Sequence, residues 1–317
     1  MPTECTKNSQ LTLDLTGRKQ TLGVMRIAFD YTPAAQPRAL DAFTIRRPDS
    51  VVAPVVFASP HSGQVYPSAM TERLNVPLRD LQRTEDAFVD ELYVSAVDQG
   101  AILMDATYAR AFVDLNRDAR ELDATMFYDG LPRTAGMPSA RVKAGLGCLP
   151  RVGASGRNIY AGQISRQEGQ FRLTTVHDRY HAALQAEIDA LKRNWSDVYI
   201  IDCHSMPSRQ PGRASMPDIV LGDRFGSSCS ARLTSLAERR FRLEGLSVTR
   251  NAPYAGGYTT RRYGRPRRGV HVLQIEINRA LYMNEIEVQK SSGFAVMQSQ
   301  VSRVIADIVE FAQARSG

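Results

Sequence analysis

Two histidines follow apolar runs whose composition predicts buried β-strands. His61 comes shortly after the run at 55–58, and His204 comes shortly after the run at 198–201. Ligands of open α/β sheets bind at the carboxyl ends of strands, so both imidazoles are expected at the same edge of a sheet. Two histidines that converge there would be the start of a metal site.

The third ligand of such a site must come from another part of the chain, because catalytic zinc usually has three protein ligands and an open position for water. Many zinc hydrolases have a Glu three residues after the first His, but Gln64 is a neutral amide and a poor ligand. Glu85 and Asp86 are better candidates, although acidic residues also favour the start of a helix by roughly 0.3–1 kcal/mol. We prefer Asp86, with Glu85 as the alternative. Asp90, one turn further on, either orients a histidine or is a solvated charge.

A second pair of histidines lies four residues apart in a helix predicted over 163–195. His177 and His181 share one face of that helix, a spacing that can also bind metal. Residue 178 is Asp, so the pair does not form the HExxH motif of zinc proteases. We therefore predict that both histidines pack structurally, and that His271, at the start of a strand, does the same.

Polar residues around the apolar run at 111–113 have the types that bind a carboxylate. Asn116 and Arg117 follow the run in an Asp-Leu-Asn-Arg segment, and Arg110 precedes it. An arginine offers two parallel donors to a carboxylate, and an asparagine adds an amide donor. The pair therefore predicts a carboxylate-binding site, against the alternative of ion pairing at the surface.

A glutamate lies inside the strand predicted over 270–277. Side chains alternate between the faces of a strand, which places Gln274, Glu276 and Asn278 on one face, opposite two isoleucines. A carboxylate inside a sheet needs a partner, since an unpaired buried charge is unfavourable. Near a metal-activated water Glu276 would serve as general base, and the alternative is a structural ion pair with an arginine.

The elements that must position these residues alternate along the chain. Strands separated by helices predict an α/β fold, with a mixed central sheet and helices on both faces. The predicted strands cover residues 55–58, 101–104, 111–113, 198–201, 219–221 and 270–277. The predicted helices cover residues 84–97, 163–195, 230–243 and 284 to the C-terminus. A long loop region is predicted over 129–161, and Thr84 is the predicted N-cap of the first helix.

Composition is that of a globular protein, with 43% hydrophobic and 23% charged residues in a chain of 317. A net charge of +7, concentrated in the arginines at 261–268, indicates either attraction for anions or a solvated basic surface. Four scattered cysteines without zinc-binding spacing are typical of a reducing cytoplasm. No apolar run is long enough to span a membrane, and no glycine-rich nucleotide-binding motif occurs.

The chain is predicted to contain one domain and one extension. Residues 1–40 are polar and weakly patterned, lack the apolar core of a signal peptide, and predict a loose N-terminal extension. Residues 41–317 are predicted to form a single α/β hydrolytic domain, because α/β domains reach this size. We expect a cytoplasmic protein.

Five segments, taken in their order along the chain, resemble the N-formylglutamate amidohydrolase family. They lie at residues 59–63, 85–86, 114–117, 202–205 and 274–279, and together they cover about residues 50 to 290. Each motif is weak alone, whereas five in the same order are much more specific. The segment at 114–117 is also similar to that of aspartoacylase and succinylglutamate desuccinylase, which are related to the zinc carboxypeptidases.

The resemblance implies a zinc-exopeptidase-like α/β fold and hydrolysis of N-formyl-L-glutamate to formate and glutamate. It also implies a zinc cofactor, for which we expect the ligands His61, Asp86 and His204. Gln64 departs from the pattern of the carboxypeptidase branch, which has its glutamate ligand at that position. This departure favours Asp86 as the replacement.

The same resemblance suggests roles for the remaining polar residues. Glu276 would be the general base, taking a proton from water and delivering it to the leaving amine. Arg110 would stabilise the oxyanion. Asn116 and Arg117 would bind a substrate carboxylate, with Arg279 as a second clamp.

Two other functions stay open at this point. One is hydrolysis of a related N-acyl amino acid, or a carboxypeptidase activity, since the sequence does not define the acyl pocket. The other is a protein without enzymatic activity that binds anions or nucleic acid through the arginines at 261–268, which predicts salt-dependent binding and no bound metal. We expect a small acidic N-acyl amino acid as the partner, and neither nucleic acid nor a membrane.

Overall fold

The computed structural model describes residues 41–316, except 211, 213 and 214. Its strands are β1 (Phe43–Arg46), β2 (Val55–Ser59), β3 (Ile102–Ala106), β4 (Val198–Met206), β5 (Ile219–Gly222), β6 (Val248–Arg250), β7 (Val270–Asn278), β8 (Met283–Asn284) and β9 (Gln289–Lys290). Its helices are α1 (Ser68–Thr71), α2 (Leu78–Gln82), α3 (Val89–Leu92), α4 (Ser95–Asp98), α5 (Ala140–Lys143), α6 (Arg166–Arg172), α7 (Asp178–Lys192), α8 (Ala231–Leu243), α9 (Tyr258–Tyr263) and α10 (Phe294–Ser316). The predicted extension at 1–40 lies outside the described residues.

A seven-stranded mixed sheet forms the centre of this structure, in the order β1-β3-β2-β4-β7-β5-β6. Strands β3, β2, β4 and β7 run parallel to one another. At the two sides β1 is antiparallel to β3, and β5 is antiparallel to β7. The carboxyl ends of β2, β4 and β7 therefore lie at the same edge of the sheet.

Helices cover both faces of the sheet, and the alternation of side chains decides which residues meet them. Phe57 and Leu103 face the layer that contains α3, α4, α8 and α10. Val56 and Ile102, their neighbours in sequence, face the layer that contains α7. Because the central parallel strands are covered on both sides, their sequences are continuous apolar runs. The predicted mixed sheet with helices on both faces is confirmed.

Most predicted elements appear within a few residues of their expected positions. Strands β2, β3, β4, β5 and β7 are those predicted, and β1 and β6 are additional edge strands. The helix predicted over 163–195 consists of α6 and α7 joined by a π-helical turn, Leu173–His177. Helix α8 begins after Ser230, whose hydroxyl caps it. None of the described helices combines the length and apolar composition that crossing a membrane requires.

The helix predicted over 84–97 is wrong as a single element. Phe88 has a φ angle of 66°, in the left-handed region, and helical residues are confined to α3 and α4. Residues 84–87 therefore lie outside any helix, and the predicted N-cap at the first of them is wrong as well. In this turn the main-chain N–H of Asp86 donates to the carbonyl of His61 at 3.0 Å. The apolar residues in 84–97 are spaced as in a helix because most of them are buried. The main chain at 84–87 is not helical, because its position depends on the hydrogen bond to His61, which is distant in sequence.

Two further elements differ from the prediction. Residues 111–113 are not a strand: their side chains enter the core, while the next main-chain N–H, that of Asp114, donates to the carbonyl of Cys148 at 2.7 Å. The C-terminal helix begins at Phe294, ten residues after the predicted start, because a short hairpin of β8 and β9 precedes it. In both cases apolar residues signal burial but do not decide the path of the main chain.

Substitutions in helix α8 can test how this helix packs against the sheet and α10. Phe241 is fully buried in the cluster that joins α8 to the sheet and α10, whereas Leu243 on the same helix is 69% exposed. We expect Phe241→Ala to lower the free energy of unfolding by about 3–5 kcal/mol, because it removes buried apolar surface and leaves a cavity. Leu243→Ala should change it by less than about 0.5 kcal/mol. Urea unfolding measures both, and equal losses would contradict the described packing.

Candidate metal centre

His61, Asp86 and His204 lie together in a buried cluster, which we call the ligand cluster. Each offers one ligand atom, and these atoms all lie within 4.8 Å of one another. Oδ2 of Asp86 is 3.3 Å from Nδ1 of His61 and 2.8 Å from Nδ1 of His204. None of the three residues is more than 2% exposed. The imidazoles predicted to converge on one edge of the sheet do so.

Neighbouring strands and one turn bring the ligand cluster together. His61 lies two residues beyond the end of β2. His204 was expected beyond its strand but lies within β4, because β7 pairs with β4 along its whole length to Met206. Strands β2 and β4 are parallel neighbours, so the two histidines meet. Asp86 reaches them from the turn that its own N–H anchors to His61.

The imidazole of His61 has the surroundings of a metal ligand. Its Nε2 lies 2.7 Å from Oδ1 of Asp114, an acceptor that keeps the ring proton on that nitrogen. Its Nδ1 is buried and has no hydrogen-bond partner among the described residues. Since buried polar atoms are nearly always paired, this nitrogen calls for a partner, and a cation facing Asp86 would supply one.

His204 has two proton arrangements. With the proton on Nδ1 it donates to Asp86, and Nε2 accepts from the side-chain amide of Asn116 at 2.8 Å. With the proton on Nε2 it faces Oδ1 of Asp202 at 3.1 Å, and Nδ1 is free to bind a metal. Burial alone would lower the pKa of His204, but Asp202 and Asp86 raise it well above its ordinary value. A cation at Nδ1 would replace the proton that Asp86 otherwise accepts.

Asp86 has the charge that a ligand needs. Burial alone would raise the pKa of its carboxyl, but the hydrogen bond with His204 and the proximity of His61 hold it well below the usual range. Its other oxygen, Oδ1, accepts from the guanidinium of Arg279 at 2.9 Å. Two imidazole nitrogens and one carboxylate are a donor set that zinc takes in hydrolases, so these residues fit a Zn²⁺ ion.

Two other acidic residues considered for the centre lie outside the ligand cluster. Glu85 accepts a hydrogen bond from the hydroxyl of Tyr66, and burial raises the pKa of Glu85 to about 7. Asp90 belongs to α3, and its Oδ1 is buried without a hydrogen-bond partner among the described residues. The geometry therefore favours Asp86 over Glu85 as the third donor.

Glu276 lies beside the ligand cluster. It is paired in register with His204 across β7 and β4, and it is 7% exposed. The side-chain amide of Gln274 donates to its Oε1 at 2.8 Å, while Oε1 of Gln274 accepts from the N–H of Gly257 at 2.7 Å. Burial raises the pKa of Glu276 to about 8. A carboxyl that binds a proton near neutral pH beside a candidate metal has the properties of a general base.

Two of the predicted arginines surround the ligand cluster. Arg110 donates to Oδ2 of Asp114 at 2.8 Å and lies 3.8 Å from Oδ1 of Asp86. Arg279 is buried and donates to Asp86, to the hydroxyl of Ser205 at 3.1 Å and to a main-chain carbonyl. Arg279 therefore orients a ligand-cluster residue and is already saturated by protein groups, whereas Arg110 keeps partial exposure.

The two residues of the predicted Asn–Arg pair lie in different surroundings: Asn116 is buried, and Arg117 is partly exposed. Oδ1 of Asn116 accepts from the N–H of Thr259 at 2.8 Å, and its amide donates to Asp202 at 3.2 Å. Arg117 donates to the carbonyls of Asn116 and Leu146, and its Nε lies 4.0 Å from Asp114. Asn116 is thus committed to the protein interior, while Arg117 has no hydrogen-bonded carboxylate among the residues that the structure describes.

Asp114 and Asp202, the acceptors that face the two histidines, are not among the site residues predicted from the sequence. Asp202 and His204 are two residues apart on one strand, so they share a face, and that spacing was a usable signal. No comparable signal links Asp114 to a histidine 53 positions away.

The other histidines are structural, as predicted. Both ring nitrogens of His181 are occupied, by the hydroxyl of Tyr263 and the carbonyl of Leu115, each at 2.9 Å. Nε2 of His177 lies 3.0 Å from a main-chain carbonyl. His271 stacks on the ring of Tyr199. The ring nitrogens of these three histidines already have protein partners, so His177 and His181 do not form a metal-binding pair.

Comparisons with known proteins agree on one family. The family model described as N-formylglutamate amidohydrolase matches residues 53–283. N-formylglutamate deformylases of Pseudomonas putida and Pseudomonas aeruginosa are 30% and 32% identical to this chain, covering 74% and 73% of it and 83% of each relative. A crystal structure of N-formylglutamate amidohydrolase from Ralstonia eutropha is 32% identical with a TM-score of 0.81, over 87% of this chain and 99% of that one. A gene product from Agrobacterium tumefaciens, 16% identical with a TM-score of 0.63, covers 86% and 96% and shares the fold.

Gly257 has no room for a side chain, because a Cβ there would lie 2.4 Å from Nδ2 of Asn116. We expect Gly257→Ala to displace Asn116, whose amide donates to Asp202, and to lower the affinity for Zn²⁺ by about 10- to 100-fold, because Asp202 orients His204. Competition with a chromophoric chelator measures this affinity. Gly162→Ala is the matched control, since a Cβ there meets nothing within 4 Å. Unchanged zinc affinity in Gly257→Ala would rule out a supporting role for Asn116.

Proposed function

The chain belongs to the N-formylglutamate amidohydrolase family, and we propose that it hydrolyses N-formyl-L-glutamate to formate and L-glutamate. Membership makes it a hydrolase that acts on an amide, which sets aside the alternative without enzymatic activity. The observation that carries the proposal is the buried ligand cluster directly beside Glu276. The two deformylase relatives support the choice of substrate.

We propose Zn²⁺ as the cation of the ligand cluster, held by His61, Asp86 and His204. A bound zinc ion supplies Lewis acidity, which makes water nucleophilic near neutral pH and polarises an amide carbonyl. Asp114 and Asp202 would hold protons on the outer nitrogens of the two histidines, so that the inner nitrogens face the cation.

Glu276 is the proposed general base. Its Oε1 is held by Gln274, which leaves Oε2 to accept a proton from the attacking water and to return it to the departing amine. Arg110, whose side chain is 22% exposed, would donate to the carbonyl oxygen as negative charge develops there. Glu276 would thus take the proton of the water, and Arg110 would stabilise the negative charge on the carbonyl oxygen. Hydrogen bonds with Gln274 and Asp114 already orient these two side chains.

Arg117 is the proposed contact to a substrate carboxylate. The sequence predicts the same role for Asn116 and Arg279, but their hydrogen bonds to Asp202 and Asp86 favour positioning of the ligand cluster instead. The substrate is small and acidic, so neither nucleic acid nor a membrane is required. The cytoplasmic location and the single-domain organisation stay predictions.

Isosteric substitutions distinguish the two candidates for the third ligand. We expect Asp86→Asn to lose bound zinc and formate release, because an amide is a poor zinc ligand. Glu85→Gln should keep zinc, since Glu85 is bonded to Tyr66 instead. Elemental analysis of the purified variants and an enzymatic assay for formate measure both properties. Zinc loss in Glu85→Gln together with retention in Asp86→Asn would transfer the ligand role to Glu85.

Replacement of the proposed base separates chemistry from metal binding. We expect Glu276→Gln to retain zinc but to lower kcat by about 10²–10⁴-fold, because the amide cannot take a proton. Glu287→Gln, at an exposed position, is the control and should be unchanged. Zinc content and steady-state formate release are the measurements. Full activity of Glu276→Gln would remove Glu276 from the mechanism.

A further inference from the structure

The arginines around Asp114 are unequally neutralised. Arg110 donates directly to this carboxylate at 2.8 Å. Arg117 bonds to main-chain carbonyls and stays 4.0 Å from it. An arginine whose side chain is only 14% exposed, and that has no hydrogen-bonded carboxylate within residues 41–316 as described, favours an incoming anion.

A second cation of this kind lies next to Arg117. Arg141 belongs to α5, and its carbonyl accepts from the N–H of Leu146, whose own carbonyl accepts from the guanidinium of Arg117 at 3.3 Å. The side chain of Arg141 is exposed and has no hydrogen bond or ion pair within the part of the chain that the structure describes. The segment 140–146, which comprises α5 and the residues after it, therefore carries Arg141 and also accepts a hydrogen bond from Arg117.

The two guanidinium groups act on each other. Partial burial, followed by the positive charge of Arg117, lowers the pKa of Arg141, while Glu121 and Asp114 oppose this effect less strongly. Like charges held in proximity are unfavourable without an anion between or beside them. A carboxylate bound here would relieve this repulsion in addition to forming its own hydrogen bonds.

We propose that Arg141 binds the side-chain carboxylate of the substrate, beside the carboxylate bound by Arg117, and thereby selects N-formyl dicarboxylic amino acids. The inference rests on the proposed function. The contacts run in one order: His61 of the ligand cluster bonds to Asp114, Arg117 lies 4.0 Å from Asp114, and the segment 140–146 that carries Arg141 accepts a hydrogen bond from Arg117. In the substrate, the formyl group is followed by the α-carboxylate and then by the side-chain carboxylate, which matches this order.

Other nearby arginines already have partners. Arg279 is buried and bonded to Asp86. Arg261 lies 3.6 Å from carboxylate oxygens of Asp118 and Glu121 and over the ring of Tyr258. Arg141 is the cation of this group that keeps both its charge and its donors available.

The test compares two substrates of equal size. We expect Arg141→Gln to lower kcat/KM for N-formyl-L-glutamate by about 10- to 100-fold, chiefly through KM, as loss of one charge-assisted hydrogen bond would. For N-formyl-L-glutamine, whose side chain is neutral, kcat/KM should change less than about threefold. Lys143→Gln, exposed on the same helix, is the matched control and should alter neither value. Arg141→Lys should recover part of the preference.

The outcomes separate this inference from the proposed function. Equal losses on both substrates, or no loss on either, would overturn the role of Arg141. Binding of glutarate, measured by calorimetry, gives a readout without turnover, and Arg141→Gln should weaken it by a similar factor. If the natural protein released no formate from either substrate, the proposed function would be overturned, while unchanged glutarate binding in Arg141→Gln would overturn the carboxylate contact itself.

Discussion

A buried carboxylate has to be compensated by its neighbours, and Asp86 imposes this constraint at the centre of the molecule. One of its oxygens faces Nδ1 of His61 and of His204, and the other accepts from Arg279. Without a cation, one proton on His204 meets part of the requirement and Nδ1 of His61 stays unpaired. A divalent cation would satisfy the carboxylate and both nitrogens together, which is why a metal accounts for the arrangement better than a structural ion pair does.

Near Asp86 the main chain differs from what the neighbouring sequence predicts. The left-handed residue Phe88 lies just before α3, and the non-helical turn that precedes it reaches His61. Strand β4 continues past its apolar run because β7 supplies main-chain partners as far as Met206. The polar residues Asp202 and His204 are thereby held inside a sheet, where their side-chain positions are more restricted than in a loop.

The polar groups behind the ligand cluster form one connected layer. Gln274 bonds to Glu276 and to the N–H of Gly257, and Gly257 leaves space for Asn116, which bonds in turn to Asp202. Glu276, the proposed general base, and Asp202, the acceptor that faces His204, are therefore held by polar groups that meet at Gly257. The loop that contains Gly257 therefore contacts the polar groups next to the ligand cluster.

The sequence by itself determined the α/β architecture, the two histidines at one sheet edge and the face on which Glu276 lies, because apolar runs and strand alternation depend on neighbouring residues. It also indicated the family through five ordered motifs. It mispredicted the elements at 84–97 and 111–113, where buried side chains follow an irregular main chain. Only the tertiary structure decided that Asp86 and not Glu85 faces the histidines, and that Asn116 and Arg279 are engaged by protein groups. Those outcomes depend on contacts between residues as many as 193 positions apart, whose distances are set by packing and strand register and not by local pattern.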